Sequence, residues 1–190
     1  DLIASPVANA TSYVDNLTDA NSHYKYRVTA FNASGDSLSN EVQVDPLLVV
    51  SVVRQDANPT NLATVNYTVT FSDVVTGVDT ADFTLTTTGL TDAIVSSVTG
   101  AGTTRSVAVS TGTGDGTLRL DLTDNDTIQG SLGQLLGGSG LLNGDFTTGE
   151  VYDVDKTAPS VTSIARASAN PTNAVSVDYT VTFDESVANV

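Results

Sequence analysis

The stretch ATVNYTVTF, residues 63–71, decides the fold. Val65, Tyr67, Val69 and Phe71 fall on one side of an extended chain, with Thr64, Asn66, Thr68 and Thr70 on the other. A period of two with one apolar face is a strand laid on a core. The same stretch returns 112 positions later: residues 49–78 align with residues 161–190 at 16 identities in 30 pairs, sharing ANPTN and then YTVTF. A fixed period of this size marks a tandem array. One complete unit flanked by two partial ones is therefore expected, in an array that continues beyond the last repeat.

Around that strand the pattern stays all-β. Segments rich in Val, Thr, Ile and Tyr alternate in polarity between Gly, Asn, Asp, Ser and Pro turns, the signature of a sandwich. Seven strands are expected in the complete unit, at 49–54, 63–71, 82–88, 92–99, 104–110, 117–123 and 149–155. The long connection 124–148 carries Leu132, Leu135, Leu136, Leu141 and Leu142, which predicts a loop tucked over one edge of the sandwich rather than a mobile lid.

Composition narrows the function. The chain of 190 residues has 22 acids against 7 bases, a net charge of −15, and no Cys, Met or Trp. Such a surface repels nucleic acid and anionic lipid, whose phosphates need Lys and Arg, and it suits either a soluble, self-repelling protein or one that gathers divalent cations. No apolar run is long enough for a membrane-spanning helix. The absence of cysteine rules out disulfides and thiolate chemistry and points to a bacterial or archaeal surface protein. His23 is the one histidine, and its neighbours do not suggest a catalytic triad. With no Trp to stack on a sugar, the expectation is that the protein is not an enzyme.

Residues 11–44, TSYVDNLTDANSHYKYRVTAFNASGDSLSNEVQV, resemble the C-terminal half of a fibronectin type III domain. Leu17, Tyr24, Tyr26, Val28, Ala30, Asn32, Gly35 and Ser37 stand in that family's places, with the Leu-to-Tyr spacing one residue long. The resemblance implies a Tyr24 hydroxyl that pins the loop before it. Residues 69–85, 114–128 and 144–159, with the repeated YTVTF, resemble bacterial immunoglobulin-like and cadherin-like repeats of large surface proteins. That resemblance implies an extracellular rod, often built with calcium. The domains are then 1–45, a partial fibronectin type III-like domain; 46–158, a complete immunoglobulin-like repeat; and 159–190, a partial second repeat.

The acids are the candidate site. Asp121, Asp124 and Asp126 gather hard oxygen donors at a strand end, and calcium takes six to eight such oxygens; without the twelve-residue loop and its terminal Glu this is no EF-hand. Asp and Asn also favour turns by bonding their own backbone. In an immunoglobulin-like topology Asp73, Asp79, Asp82, Asp124, Asp126 and Asp145 collect at the pole where the chain enters. The other pole holds Asp56, Asp92, Asp115 and the exit. The units end in Val42-Gln43-Val44-Asp45 and Tyr152-Asp153-Val154-Asp155, and each exit Asp is followed by acids in the next unit's second turn, Asp73 or Asp184-Glu185. Each junction is therefore expected to clamp one calcium ion.

Two further motifs count for little: five N-x-S/T sequons, and a Lys–Asn isopeptide crosslink for which Lys156, in a linker, is poorly placed. The reading is a structural segment of an extracellular, cell-surface rod, stalk or filament, with neighbouring repeats or copies of itself as partners, and with no nucleic acid and no membrane insertion. The alternatives are an adhesive or carbohydrate-binding module, or a spacer in a secreted enzyme.

Overall fold

The computed structural model describes residues 12–13 and 22–188. Leu17, the first of the fibronectin-like positions, lies outside them. Thirteen strands follow one another: β1 Tyr24–Tyr26, β2 Thr29–Asn32, β3 Gly35–Leu38, β4 Val42–Val44, β5 Val49–Arg54, β6 Thr64–Phe71, β7 Phe83–Thr88, β8 Ile94–Thr99, β9 Thr104–Ser110, β10 Gly116–Leu122, β11 Val151–Val154, β12 Val161–Arg166 and β13 Tyr179–Phe183. A 3₁₀ turn, Thr80–Asp82, precedes β7.

Strands β5 to β11 form two antiparallel sheets. One runs β5-β6-β9-β8 and the other β11-β10-β7. Every strand sits within two residues of its expected position. The alternation in β6 is realised: Val65, Tyr67, Val69 and Phe71 are buried. They meet Val52, Val107 and Val109 of their own sheet and Phe83, Leu118, Leu120, Leu122, Tyr152 and Val154 of the other. Each such side chain contributes roughly 1.5–3 kcal/mol by leaving water, so these two inner faces hold the sandwich shut. Tyr67 and Tyr152 meet edge to face at 5.1 Å across the core, and the Tyr67 hydroxyl donates to the carbonyl of Leu118 at 2.8 Å.

The repeat extends from sequence into geometry. β5 pairs with β6 as Val52↔Val69 and Arg54↔Tyr67, with a bulge between Val49 and Ser51. β12 pairs with β13 as Ile164↔Val181 and Arg166↔Tyr179, with a bulge between Val161 and Ser163. The Asp56 carboxylate accepts the amide of Asn66 at 2.7 Å. At the matching positions the Ser168 hydroxyl accepts the amide of Asp178 at 2.8 Å.

The β12–β13 pair differs from β5–β6 in burial. Tyr179 and Val181 are exposed, as are Val161 and Ile164. No second sheet covers β12–β13 among the described residues, so the face that β6 buries lies open here.

Residues 24–44 form an antiparallel hairpin in two pieces, β1 with β4 and β2 with β3. The break is bridged by Ser39, whose amide donates to the carbonyl of Val28 and whose hydroxyl accepts the Val28 amide.

The long connection 124–148 is tied over the sandwich, but only one of its five leucines is fully buried. Leu136 is fully buried, beside Ile128 and Leu47. Leu132, Leu141 and Leu142 are exposed at 63%, 68% and 61%. Leu47, arriving from the linker, pairs in parallel with Leu136 and accepts the amide of Gly137 at 3.0 Å.

Candidate functional site

The upstream pole is built by the connections 72–82, 100–103 and 123–150. They interlock: Thr76 bridges Gln129, and the amide of Val75 donates to Gly102 at 3.1 Å. Arg105 staples them from inside. It is 7% exposed, and its guanidinium donates to the carbonyls of Val75, Gly102 and Thr104 at 2.5, 3.2 and 2.8 Å. In β9 its position is in phase with Val107 and Val109, so the alternation marks it as inward-pointing.

The acids expected at this pole are there, and each is occupied by loop donors. Asp73 accepts the amide and hydroxyl of Ser131 and the amide nitrogen of Gln134. These bonds, the Ser131 hydroxyl first, hold its pKa below the ordinary value. Asp79 accepts the Ala81 amide at 2.7 Å, while Asp82, buried completely, accepts the Asp79 amide and the Thr127 hydroxyl. Asp124, 1% exposed, accepts the amides of Asp126 and Gly144. Burial first, then the charges of Asp126 and Asp145, push its pKa up. Asp126 accepts the Gly140 amide, and Asp145 accepts that of Asp124. These carboxylates hold the turns of 124–148 in place.

Asp121 lies apart from them, on the outer face of β10. It forms an ion pair with Arg119 at 2.6 Å and accepts the Thr86 hydroxyl at 2.6 Å. Among the described residues no group of three or more His, Cys, Asp or Glu side chains converges as a metal cage.

The two junctions differ. At the first, Asp45 bonds His23 and Gln43, both at 2.6 Å, and Asp73 bonds the loop 131–134. The expected pairing of Asp45 with Asp73 is not made. At the second, Glu185 lies close enough to Asp155 to feel its charge. Desolvation first, then the charge of Asp155, raise the pKa of Glu185, with Asp184 and Asp115 adding to it.

The flanking residues explain this geometry. Asp115 accepts the Lys156 amide at 2.6 Å and the Thr157 hydroxyl, which hold its pKa low. Asp184 accepts the amide and hydroxyl of Ser160. Asp155 accepts the Thr157 amide at 3.1 Å, and Asp153 accepts the side-chain amide of Asn58. Asp155, Asp184 and Asp115 therefore all bear on Glu185 through their charge around a six-residue linker. Asp115 is the member that spacing alone did not select.

Comparison with protein-family models, with curated proteins and with solved structures gives no match.

Proposed function

We propose that the chain is a structural segment of a cell-surface rod, made of tandem immunoglobulin-like sandwiches whose joints are drawn together by calcium. The observation that carries this reading is the second ribbon. After the linker, β12–β13 rebuilds the register and bulge of β5–β6 at an offset of 112 residues. A chain that repeats one unit so closely, head to tail, grows in length rather than around a pocket. The sheet orders β5-β6-β9-β8 and β11-β10-β7 match the constant-type immunoglobulin arrangement, which supports the finer fold assignment.

The joint supports a role for the cation. Glu185 and Asp155 face one another with Asp184 and Asp115 close by, an arrangement stable with a shared proton or a divalent ion and repulsive without either. Small-angle scattering at neutral pH is expected to show a stiffer, better-defined particle with calcium than with chelator, at constant β-sheet signal. Asp155→Asn should abolish that difference. Identical scattering in calcium and chelator would overturn the cation role, whereas a chain whose units fold back on each other in both would overturn the rod.

A further inference from the structure

We propose that Asn143–Gly144 is a latent modification site: the folded loop 124–148 holds it closed through Asp124, and opening of the loop converts Asn143 irreversibly to aspartate or isoaspartate. The inference is independent of the rod reading. It starts from the chemistry of the dipeptide. An asparagine side chain is attacked by the amide nitrogen of the next residue, which closes a five-membered ring. Glycine is the fastest residue in that place, because without a Cβ it leaves the nitrogen open and the backbone free to turn. Asn143–Gly144 is the one Asn–Gly pair in the sequence.

Packing explains why the chain keeps so labile a pair. A Cβ on Gly144 would stand 2.7 Å from Leu136 Cγ and 3.0 Å from the Leu136 carbonyl, and Leu136 is fully buried. A side chain at 144 would therefore have to move the core beneath the loop, which is packed too tightly to yield cheaply.

Asp124 secures the chain on both sides of Asn143. Its carbonyl accepts the Leu142 amide at 3.1 Å, its Oδ2 accepts the Gly144 amide at 3.1 Å, and its own amide donates to Asp145 Oδ1 at 2.7 Å. Gly137 packs against the same peptide bond, so closely that a Cβ there would press on the Gly144 nitrogen and stand 2.5 Å from the Asn143 carbonyl carbon. Ring closure needs the Gly144 nitrogen to give its proton to solvent and to swing onto the Asn143 side chain. The bond to Asp124, itself 1% exposed, points that proton into the protein, and the contacts on either side oppose the swing. Asn143 is itself exposed, so the clamp on its neighbour, and not burial of its own side chain, is what protects it.

The step balances with water alone. Gly144 N bonds to Asn143 Cγ, and the bond from Cγ to the side-chain nitrogen breaks. That nitrogen leaves as ammonia, with one proton in place of the one the Gly144 amide gave up. One water then opens the ring at either of its carbonyls. Opening at Cγ leaves aspartate; opening at the main-chain carbonyl leaves isoaspartate, whose main chain is one carbon longer. Either product adds a negative charge to a loop that already holds Asp124, Asp126 and Asp145. The longer chain also no longer presents the amides of Leu142 and Gly144 to Asp124 at their former spacing, so a converted loop does not reclose as before.

The test uses the full 190-residue chain, aged in neutral buffer, with peptide mapping by mass spectrometry following the aspartate and isoaspartate forms of residue 143. Conversion is expected at least ~10-fold slower in the folded chain than in urea, because it waits for the loop to open. Asp124→Ala should raise the folded rate by ~10-fold or more at an unchanged β-sheet signal, the scale of a lost hydrogen bond to a charged group. Asp145→Ala loosens the same clamp through its other bond and should give a smaller rise, a second reading should Asp124→Ala fail to fold. Chain converted in urea and returned to buffer should be cut by protease within 124–148 faster than fresh chain put through the same cycle. Equal rates in buffer and in urea would overturn the proposal, as would a folded rate that neither variant raises. Converted chain that resists protease as well as fresh chain would overturn the irreversible opening.

Discussion

At Tyr152 a single phenol oxygen meets three backbone groups. It accepts the amides of Gln55 and Asp56 at 3.1 and 2.9 Å and donates to the carbonyl of Asn66 at 2.8 Å. Arg54 covers the ring at 5.6 Å, and burial raises the hydroxyl's pKa. One side chain from β11 thus closes the turn that leaves β5, across the two sheets. Tyr152→Phe keeps the ring and takes the acceptor from the Asp56 amide, while the Gln55 amide and the Asn66 carbonyl still bond each other at 3.0 Å. It is expected to cost about 1–3 kcal/mol in urea unfolding. A loss below ~0.5 kcal/mol would mean that water takes the hydroxyl's place. The sequence shows an apolar-phase tyrosine at this position but not its partners, because hydrogen bonds to backbone 86 to 97 residues away leave no local signal.

Among the elements, the strands were legible and the long loop was not. Period-two alternation placed β6, β9 and β10 because each has one face committed to the core. The connection 124–148 has no such period. Its shape is set by carboxylates that capture amides and by left-handed backbone at Asp126 and Leu142 (φ 63° and 67°), so leucines that read as buried stand outside. Asp124 gives this loop a testable pH dependence. Its folded pKa is raised, so the folded chain holds that proton more tightly than the unfolded one. The associated stability is complete below the ordinary value of 3.8 and is lost as pH rises through the raised value. Asp124→Asn removes the charge and keeps one oxygen acceptor. Between neutral and acid pH the wild-type melting temperature should therefore rise relative to that of the variant. Parallel curves for the two chains would show that Asp124 does not carry the dependence.

For the whole molecule, the repetition of β5–β6 in β12–β13 was legible from the 112-residue period, and so was the nearness of Asp155 to Glu185. Spacing alone led to Asp155 with Glu185, which come near one another, and equally to Asp45 with Asp73, whose pairing is not made. The difference lies in the neighbours. Ser131 and Gln134 reach Asp73, whereas at the second junction Ser160 takes Asp184 rather than Glu185 and Thr157 gives Asp155 a single amide bond. The small contact between Thr60 and β11 has a consequence of another kind. The Thr60 amide donates to Asp153 and the Asp155 amide to Thr60, in parallel, and Asn58 binds Asp153 through both its side-chain amide groups. Tension drawn through the unit from Leu47 to Asp155 pulls these two parallel segments past each other, so their bonds are sheared together rather than unzipped one at a time. Asn58→Ala, which removes two of them, should lower the rupture force in single-molecule pulling more than its modest thermal cost of about 1 kcal/mol implies. An unchanged rupture force would place the mechanical barrier elsewhere in the sandwich.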